Sequence, residues 1–443
     1  MTRHPDLGTC GDGRYRVVDE ERIVANLVRN FWPYEAAEDH GLAVAEATRT
    51  LERWIAAGLP LRVDGGRRWF DPFEACNFAL HAWLEDGDPL WLSHQVASSR
   101  RMVREMREDA AQSAGYTVTF RREFNLTGMA AGSAARLRIP LPIDRGRVDS
   151  TQILPGAVAS GATASVSPGR LDIRFMMPEP ASDTVTISAT MTLPPGGSGM
   201  PLYDGLAIEP YDTASPEYRL CTRPDEGLIR VTDAVLRLAD TLAGPRDPPA
   251  QVVARIWDYF TVQMKVGFIH YDELDIADPL GTVIERRWCD CHTGSALFAA
   301  LCRARGIPAR IVTGAVLYPI APAQHSWLEV LLPPHGWLPV DILGAFLAAR
   351  SLADGQWSRC FLGHLDPRLR TQCLPDLFTG AVGVRMPRSW YIVQMLKEGG
   401  NELTLGCLDD RAWVLRDLLR VSATHSPATV TAHASPPAAA RGA

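Results

Sequence analysis

The sequence predicts an α+β protein in three parts: a helical N-terminal region, an antiparallel β-sandwich, and a mixed domain that carries the chemistry. Three observations support this. Apolar residues recur at helical spacing from about residue 18 to 110, and from Gly115 the period switches to two. Then, between Trp288 and Ile342, a helix pattern is followed by two strand patterns that bring a cysteine, a histidine and an aspartate in that order. The boundaries drawn on this basis are 1–112 for the helical region, 113–200 for the sandwich, 201–421 for the catalytic domain and 422–443 for a disordered tail.

In the first part, Val18–Phe31 and Leu42–Ala57 have helical periodicity. Asp71-Pro72-Phe73-Glu74 reads as a capped helix start with proline at its first position, and places Phe73, Cys76 and Leu80 on one face. Asp88-Pro89 opens a further helix ending in the charged run Arg100–Asp109. Trp32, Trp69, Trp83 and Trp91 read as core. In the second part, Tyr116, Val118 and Phe120 alternate with polar residues. So do Leu137, Ile139 and Leu141; Leu171, Ile173 and Phe175; and Val185 through Leu193. Leu193–Pro201, rich in Pro and Gly, is the linker.

Leu202–Arg223 reads as extended. Leu228–Leu242 and a segment capped by Asp247-Pro248 read as helices, and Gly267–Arg287 as a loop leading to the cysteine. The stretch after Ile342 has no clear period and is expected to wrap the catalytic domain. Trp390–Leu396 and Glu402–Leu408 form a hairpin around Glu398–Asn401, and the Ala/Pro/Thr/Ser-rich Ser422–Ala443 is expected to lack order.

Composition bounds the function. The apolar fraction is 46%, enough for true cores, and no run of 18 apolar residues predicts a membrane span. A net charge of −6 disfavours nucleic acid as a partner. Nine cysteines, an odd number without regular spacing, point to a reducing compartment, and the N-terminus shows no apolar signal region; a cytoplasmic protein is expected. The basic residues are almost all arginine, with Lys265 and Lys397 the lysines, a bias that suggests a GC-rich bacterial genome.

The chemistry centres on Cys291. Ala296, Leu297, Ala299, Ala300, Leu301 and Ala304 favour a helix from Cys291 to Arg305, and Gly306 with Pro308 stops it. Asp290 is the expected N-cap. Cys291 then lies in the first turn, where unpaired N–H groups and the helix dipole favour a thiolate and could receive an oxyanion. His325 and Asp341 fall on two strands of a hairpin, Gln324–Leu331 and Trp337–Ile342. A five-residue loop, Leu332–Gly336, sets Asp341 opposite Trp327 and diagonal to His325 on the same face. A four-residue loop would put them on opposite faces unless a bulge at Pro339 restored parity. In the working register His325 takes the thiol proton and Asp341 holds the ring.

These residues resemble the transglutaminase-like superfamily: a cysteine, a helix ending Leu-Cys-Arg-Ala-x-Gly-Ile-Pro-Ala-Arg, then His-x-Trp-x-Glu-Val, then Gly-Trp-x-Pro-x-Asp. The resemblance covers Ala254–Ile342. It implies a papain-like fold with acyl-enzyme chemistry, and carries the roles of nucleophile, base and orienting group to Cys291, His325 and Asp341. One departure is Cys289, where the family often has glycine. Trp288, Tyr318 and Trp327 are candidates for a cleft wall or oxyanion contact.

The plainer readings are these. Cys302, about 16 Å along the helix axis from Cys291, is core. Cys289-Asp290-Cys291-His292 lacks the second pair of ligands a zinc site needs, and His292 reads as a surface or capping residue. No metal or organic cofactor is implied, since calcium would rest on family analogy alone. The expected function is acyl transfer between a thioester or amide donor and an amine, leaning to amide-bond formation in a small-molecule pathway. The alternatives are a hydrolase using the same three residues, with water as acceptor, and a non-catalytic binding module.

Overall fold

The computed structural model describes residues 17–31, 40–78, 198–270, 274–316, 323–349 and 361–373, apart from a few positions, together with His81 and the short strands of further sheets. One core holds the catalytic part, and it is built round the helix Cys291–Ala304. Its residues from His292 to Arg303 are all buried, so it is a central helix and not an amphipathic surface one. Against it packs a four-stranded antiparallel sheet, in the order Trp337–Val340, Ala323–Leu331, Ala309–Val316 and Arg368–Cys373. The last of these comes from the stretch that had no legible period.

The helix ends as its sequence requires. Gly306 takes φ +72°, its N–H bonds to the Arg303 carbonyl, and that of Ile307 bonds to the Cys302 carbonyl, both at 3.0 Å. This pair of bonds closes the last turn and satisfies carbonyls the helix leaves open.

Three local expectations are corrected. The helix expected over Leu228–Leu242 starts at Asp233 and not at Leu228, because Asp225–Glu226 and Ile229–Arg230 pair in a tight hairpin around Gly227 at φ +60°. Pro216–Cys221, read as extended, is a short helix capped by the Ser215 side chain. Gly267–Arg287 is no continuous loop: Asp278 caps a helix over Pro279–Arg286, with its Oδ1 accepting from the Gly281 N–H at 2.9 Å. In each case a side-chain or glycine signal outweighed a weak period. The next helix runs Pro249–Gln263 as expected, but its N-cap is Pro248; Asp247 instead accepts from the Gly244 N–H and from Arg255.

In the N-terminal part, helices run Glu20–Phe31 and His40–Ala56, and share a small core with Phe70 and Ala75. Beside them is a three-stranded sheet in the order Val18–Asp19, Arg67–Phe70 and Arg62–Asp64 that periodicity did not reveal. Phe73 is 37% exposed rather than core, and stacks on His270 at 4.6 Å. This segment docks on the strand leading to the site. Asp71 meets His270 at 2.7 Å, Asn77 bonds both backbone groups of Phe268, and His81 reaches the Val266 carbonyl. The segments around Asp88-Pro89 and Arg100–Asp109, with Trp32, Trp83 and Trp91, lie outside the described residues.

The strands Tyr116–Asn125, Ala134–Pro140, Arg170–Met176 and Thr184–Leu193 fall where the alternation put them; Ile173 and Phe175 are buried while Arg174 is exposed. Arg147–Leu154 and Thr163–Ser167, which had no clean alternation, are further strands of this part of the chain. The hairpin near the C-terminus forms as Val393–Lys397 with Leu403–Gly406, but it pairs with Ala134–Pro140. Val414–Ala423 pairs with Tyr116–Asn125 and with Thr429–Thr431. Each of the two sheets thus also takes strands from the chain that follows the site in sequence. Ladder hydrogen bonds from distant segments leave no trace in local sequence.

Candidate active site

Asp290 caps the central helix through a full capping box. Its Oδ1 accepts from the N–H groups of His292 at 3.0 Å and Thr293 at 2.7 Å, and the Asp290 N–H donates in return to the Thr293 hydroxyl oxygen at 3.0 Å. Cys291 is the first helical residue, as expected. The amides offered on sequence grounds to an oxyanion are therefore partly taken: those of residues 292 and 293 serve the cap, and that of Cys291 itself is what remains near the sulfur.

The helix that Cys291 opens packs on the strand Ala323–Leu331 that carries His325, which sets the nucleophile candidate on the same element pair as its base. Burial pushes the thiol well above its ordinary range, and the Asp290 carboxylate adds to this; the Ser326 and Cys291 N–H groups pull back only partly. The resting state is thus a thiol rather than the thiolate expected from the helix dipole. A base must remove its proton when substrate arrives.

That base has a defined tautomer. Leu331 pairs with Trp337 and Leu328 with Val340, so the connecting loop is the five residues 332–336, with no bulge at Pro339. Asp341 follows directly, and both its oxygens lie 2.9 Å from Nε2 of His325. An ionised carboxylate only accepts, so Nε2 carries the proton and Nδ1 is left bare to take one. The pair is buried, at 5% and 1% side-chain exposure.

Asp341 is fixed on every side. Its N–H bonds to the Phe361 carbonyl, and its Oδ1 also accepts from the Gly344 N–H at 2.9 Å, so it caps the helix Ile342–Ala349. A Cβ at Gly344 would lie 2.7 Å from Oδ2, so only glycine fits under the carboxylate. On the far side Arg368 Nη1 lies 2.6 Å from Oδ2. Burial alone would raise the Asp341 carboxyl, but Arg368 first, then His325 and the Gly344 N–H, hold it far below the usual carboxylate range. No sequence signal singled out Arg368.

The other candidates fare unevenly. Trp327 is 1% exposed and packs beside His325 with its ring under Arg368, so it lines no cleft. Trp288 is half-buried, paired with Lys265 and held between His81 and Gly267, where a Cβ would come within 2.7 Å of the indole. Tyr318 lies outside the described residues. Cys289 and Cys302 are buried, and burial raises both thiols. His292, expected at the surface, is buried with Nδ1 at 3.2 Å from the Ser326 hydroxyl.

His292 gives a stability prediction. Burial depresses it to about 4, against a mild opposite pull from Asp290. Below its ordinary value near 6.5 the unfolded chain takes up a proton that the folded chain refuses. Its contribution is therefore complete above about pH 6.5 and is lost as pH falls towards 4, a change of up to about 3 kcal/mol. Urea midpoints between pH 7 and 4 should show this slope, and His292→Gln should flatten it.

Among the described residues there is no group of three or more side chains suited to a metal ion, and no helix long and apolar enough to cross a membrane. Comparison with known proteins places residues 236–342 in the family model of the transglutaminase-like superfamily. Solved structures with similarity to the chain include one from Cytophaga hutchinsonii described as a "putative cysteine protease" (14% identity, TM-score 0.45, covering 73% of this chain and 98% of that one). Another is the periplasmic domain of TgpA from Pseudomonas aeruginosa (16% identity, TM-score 0.28, covering 58% and 97%). No curated protein matches.

Proposed function

We infer that this protein, whose residues 236–342 form a core of the transglutaminase-like superfamily, is a cysteine-dependent acyl-transfer enzyme using Cys291, His325 and Asp341. The observation that carries this is the buried His325–Asp341 pair, 2.9 Å apart, with His325 on the strand that packs against the helix Cys291 opens.

The sulfur attacks the carbonyl carbon of an amide or thioester while its proton passes to Nδ1 of His325. The oxygen of the tetrahedral adduct is met by the Cys291 N–H. The bond to the leaving group breaks, that group departs with the proton from His325, and the acyl group stays on sulfur as a thioester. A second nucleophile gives its proton to His325 and attacks; the acyl–sulfur bond breaks and the thiol is restored.

An amine acceptor makes the protein an amide-forming enzyme, which we favour because the β-rich region and the stretch after Ile342 supply further chain with which to shape an acceptor pocket. We treat the sheets as a β-sandwich ahead of that core. Water as acceptor makes it a hydrolase. A cytoplasmic location is proposed with this, supported by the free state of Cys221, Cys289, Cys291 and Cys302.

The test is incubation with acyl thioesters and amides, with and without added amine, read by mass spectrometry. An acyl mass on the Cys291 peptide that converts to amide when amine is present supports transfer, and conversion to free acid alone supports hydrolysis. No adduct, with Cys291 no more reactive to iodoacetamide than its buried neighbours, would make the chain a binding module.

A further inference from the structure

We propose that Arg368 is a positioning residue for the reaction, supplying the positive charge that keeps the buried His325–Asp341 pair electrically balanced and so sets the pH range of activity. This rests on the acyl-transfer reading above but is tested apart from it.

The placement is specific. Arg368 opens the strand Arg368–Cys373, opposite Val316, and has 3% side-chain exposure. Its Nη1 stands 2.6 Å from Asp341 Oδ2, and its guanidinium lies over the Trp327 ring at 5.1 Å and that of Phe361 at 5.8 Å. A planar cation pinned between two aromatic faces has little freedom to turn, so the carboxylate it holds is fixed as well.

Charge explains why such a residue is needed. With Asp341 ionised and His325 and Cys291 neutral, the site without Arg368 would bury one uncompensated negative charge. With Arg368 it is neutral, and stays neutral when the thiol proton moves to the ring. The other charged or titratable groups near the pair have their own partners. Asp290 caps the cysteine helix, Glu329 on the histidine strand is held by Arg310 and Arg370, and buried His292 sits on Ser326. Arg368 is the arginine that forms an ion pair with Asp341 among the described residues.

Removing a positive charge about 6 Å from the ring favours protonation of both ring and thiol. At an effective dielectric near 20, every limb of the pH profile should move to higher pH by about two units.

The experiment compares Arg368→Met with Arg368→Lys. The expected result is that the acid limb of kcat/KM rises by about two pH units in Arg368→Met, a roughly fiftyfold loss of rate at the parent's midpoint, and returns most of the way in Arg368→Lys. A merely structural arginine would lower the rate without moving the limb, or would be rescued by neither variant. The same substitutions in a Cys291→Ala background, with the His325 ring followed by NMR against pH, read the inference with no turnover at all. A ring titration that rises in Arg368→Met and is restored by Arg368→Lys sustains it even should the acyl-transfer reading fail. An unmoved titration in folded protein overturns it even where Cys291 is acylated. Should Arg368→Met not fold, Arg368→Gln, which keeps a hydrogen-bond donor without charge, gives the same comparison.

Discussion

Cys291→Ala is expected to remove turnover by at least ~10⁴-fold, together with every acyl or alkyl adduct on the central helix, while the fold persists. The side chain is only part-buried, so losing the sulfur vacates little core. Cys302→Ala is the matched control. That sulfur is buried at the far end of the same helix, with its thiol raised by burial, and its loss should cost about 1 kcal/mol of stability and leave turnover and labelling intact. Circular dichroism and intact-mass labelling of the two variants, side by side, check the pair of outcomes. Equal loss in both would mean that helix integrity, not the Cys291 thiol, governs the rate.

The pH dependence of labelling adds a sign. Because burial and Asp290 raise the thiol, alkylation by a small reagent should climb steeply on the alkaline side and not saturate near neutrality. Catalysis at neutral pH then depends on proton removal by His325 within the bound complex. Dipole reasoning from the sequence pointed to a preformed thiolate. It counted the open amides of a helix start but could not know that the capping carboxylate of Asp290 would take two of them and bring its own charge beside the sulfur.

What the sequence made legible was local or periodic. The cap at Asp290, the stop at Gly306 and the five-residue loop that returns Asp341 beneath His325 each follow from a few neighbouring residues and a parity rule. What it hid was long-range. Arg368 sits 27 residues beyond Asp341 in a stretch with no readable period, and its meaning appears only when its strand pairs with Ala309–Val316. The one available hint was the alternation Arg368-Leu369-Arg370, which aims two cations at one face, where Asp341 and Glu329 wait. Likewise, the burial of His292 and Trp327 could not be read from residue type, because both are amphipathic rings common at surfaces and in cores alike.

Asp341→Asn should prove as damaging as loss of the sulfur, for a different reason. Asparagine keeps the size of the group, but its amide can present a donor to Nε2 of His325. The ring then has to accept there and carry its proton on Nδ1, the nitrogen that must be bare to receive the thiol proton. A loss of about 10⁴-fold in kcat is expected, with KM little changed, because the wrong tautomer affects the proton transfer and not substrate binding. The substitution also strips Arg368 of its counter-ion at 3% exposure, and a buried cation left so costs about 3–5 kcal/mol. Stability and rate must therefore be separated. Urea midpoints measure the first, and single-turnover acylation on the folded fraction measures the second. Adding Arg368→Gln to Asp341→Asn should recover much of the stability, because no unpaired charge remains, and none of the rate. Recovery of both together would show that Asp341 serves the fold alone and that His325 needs no carboxylate to orient it.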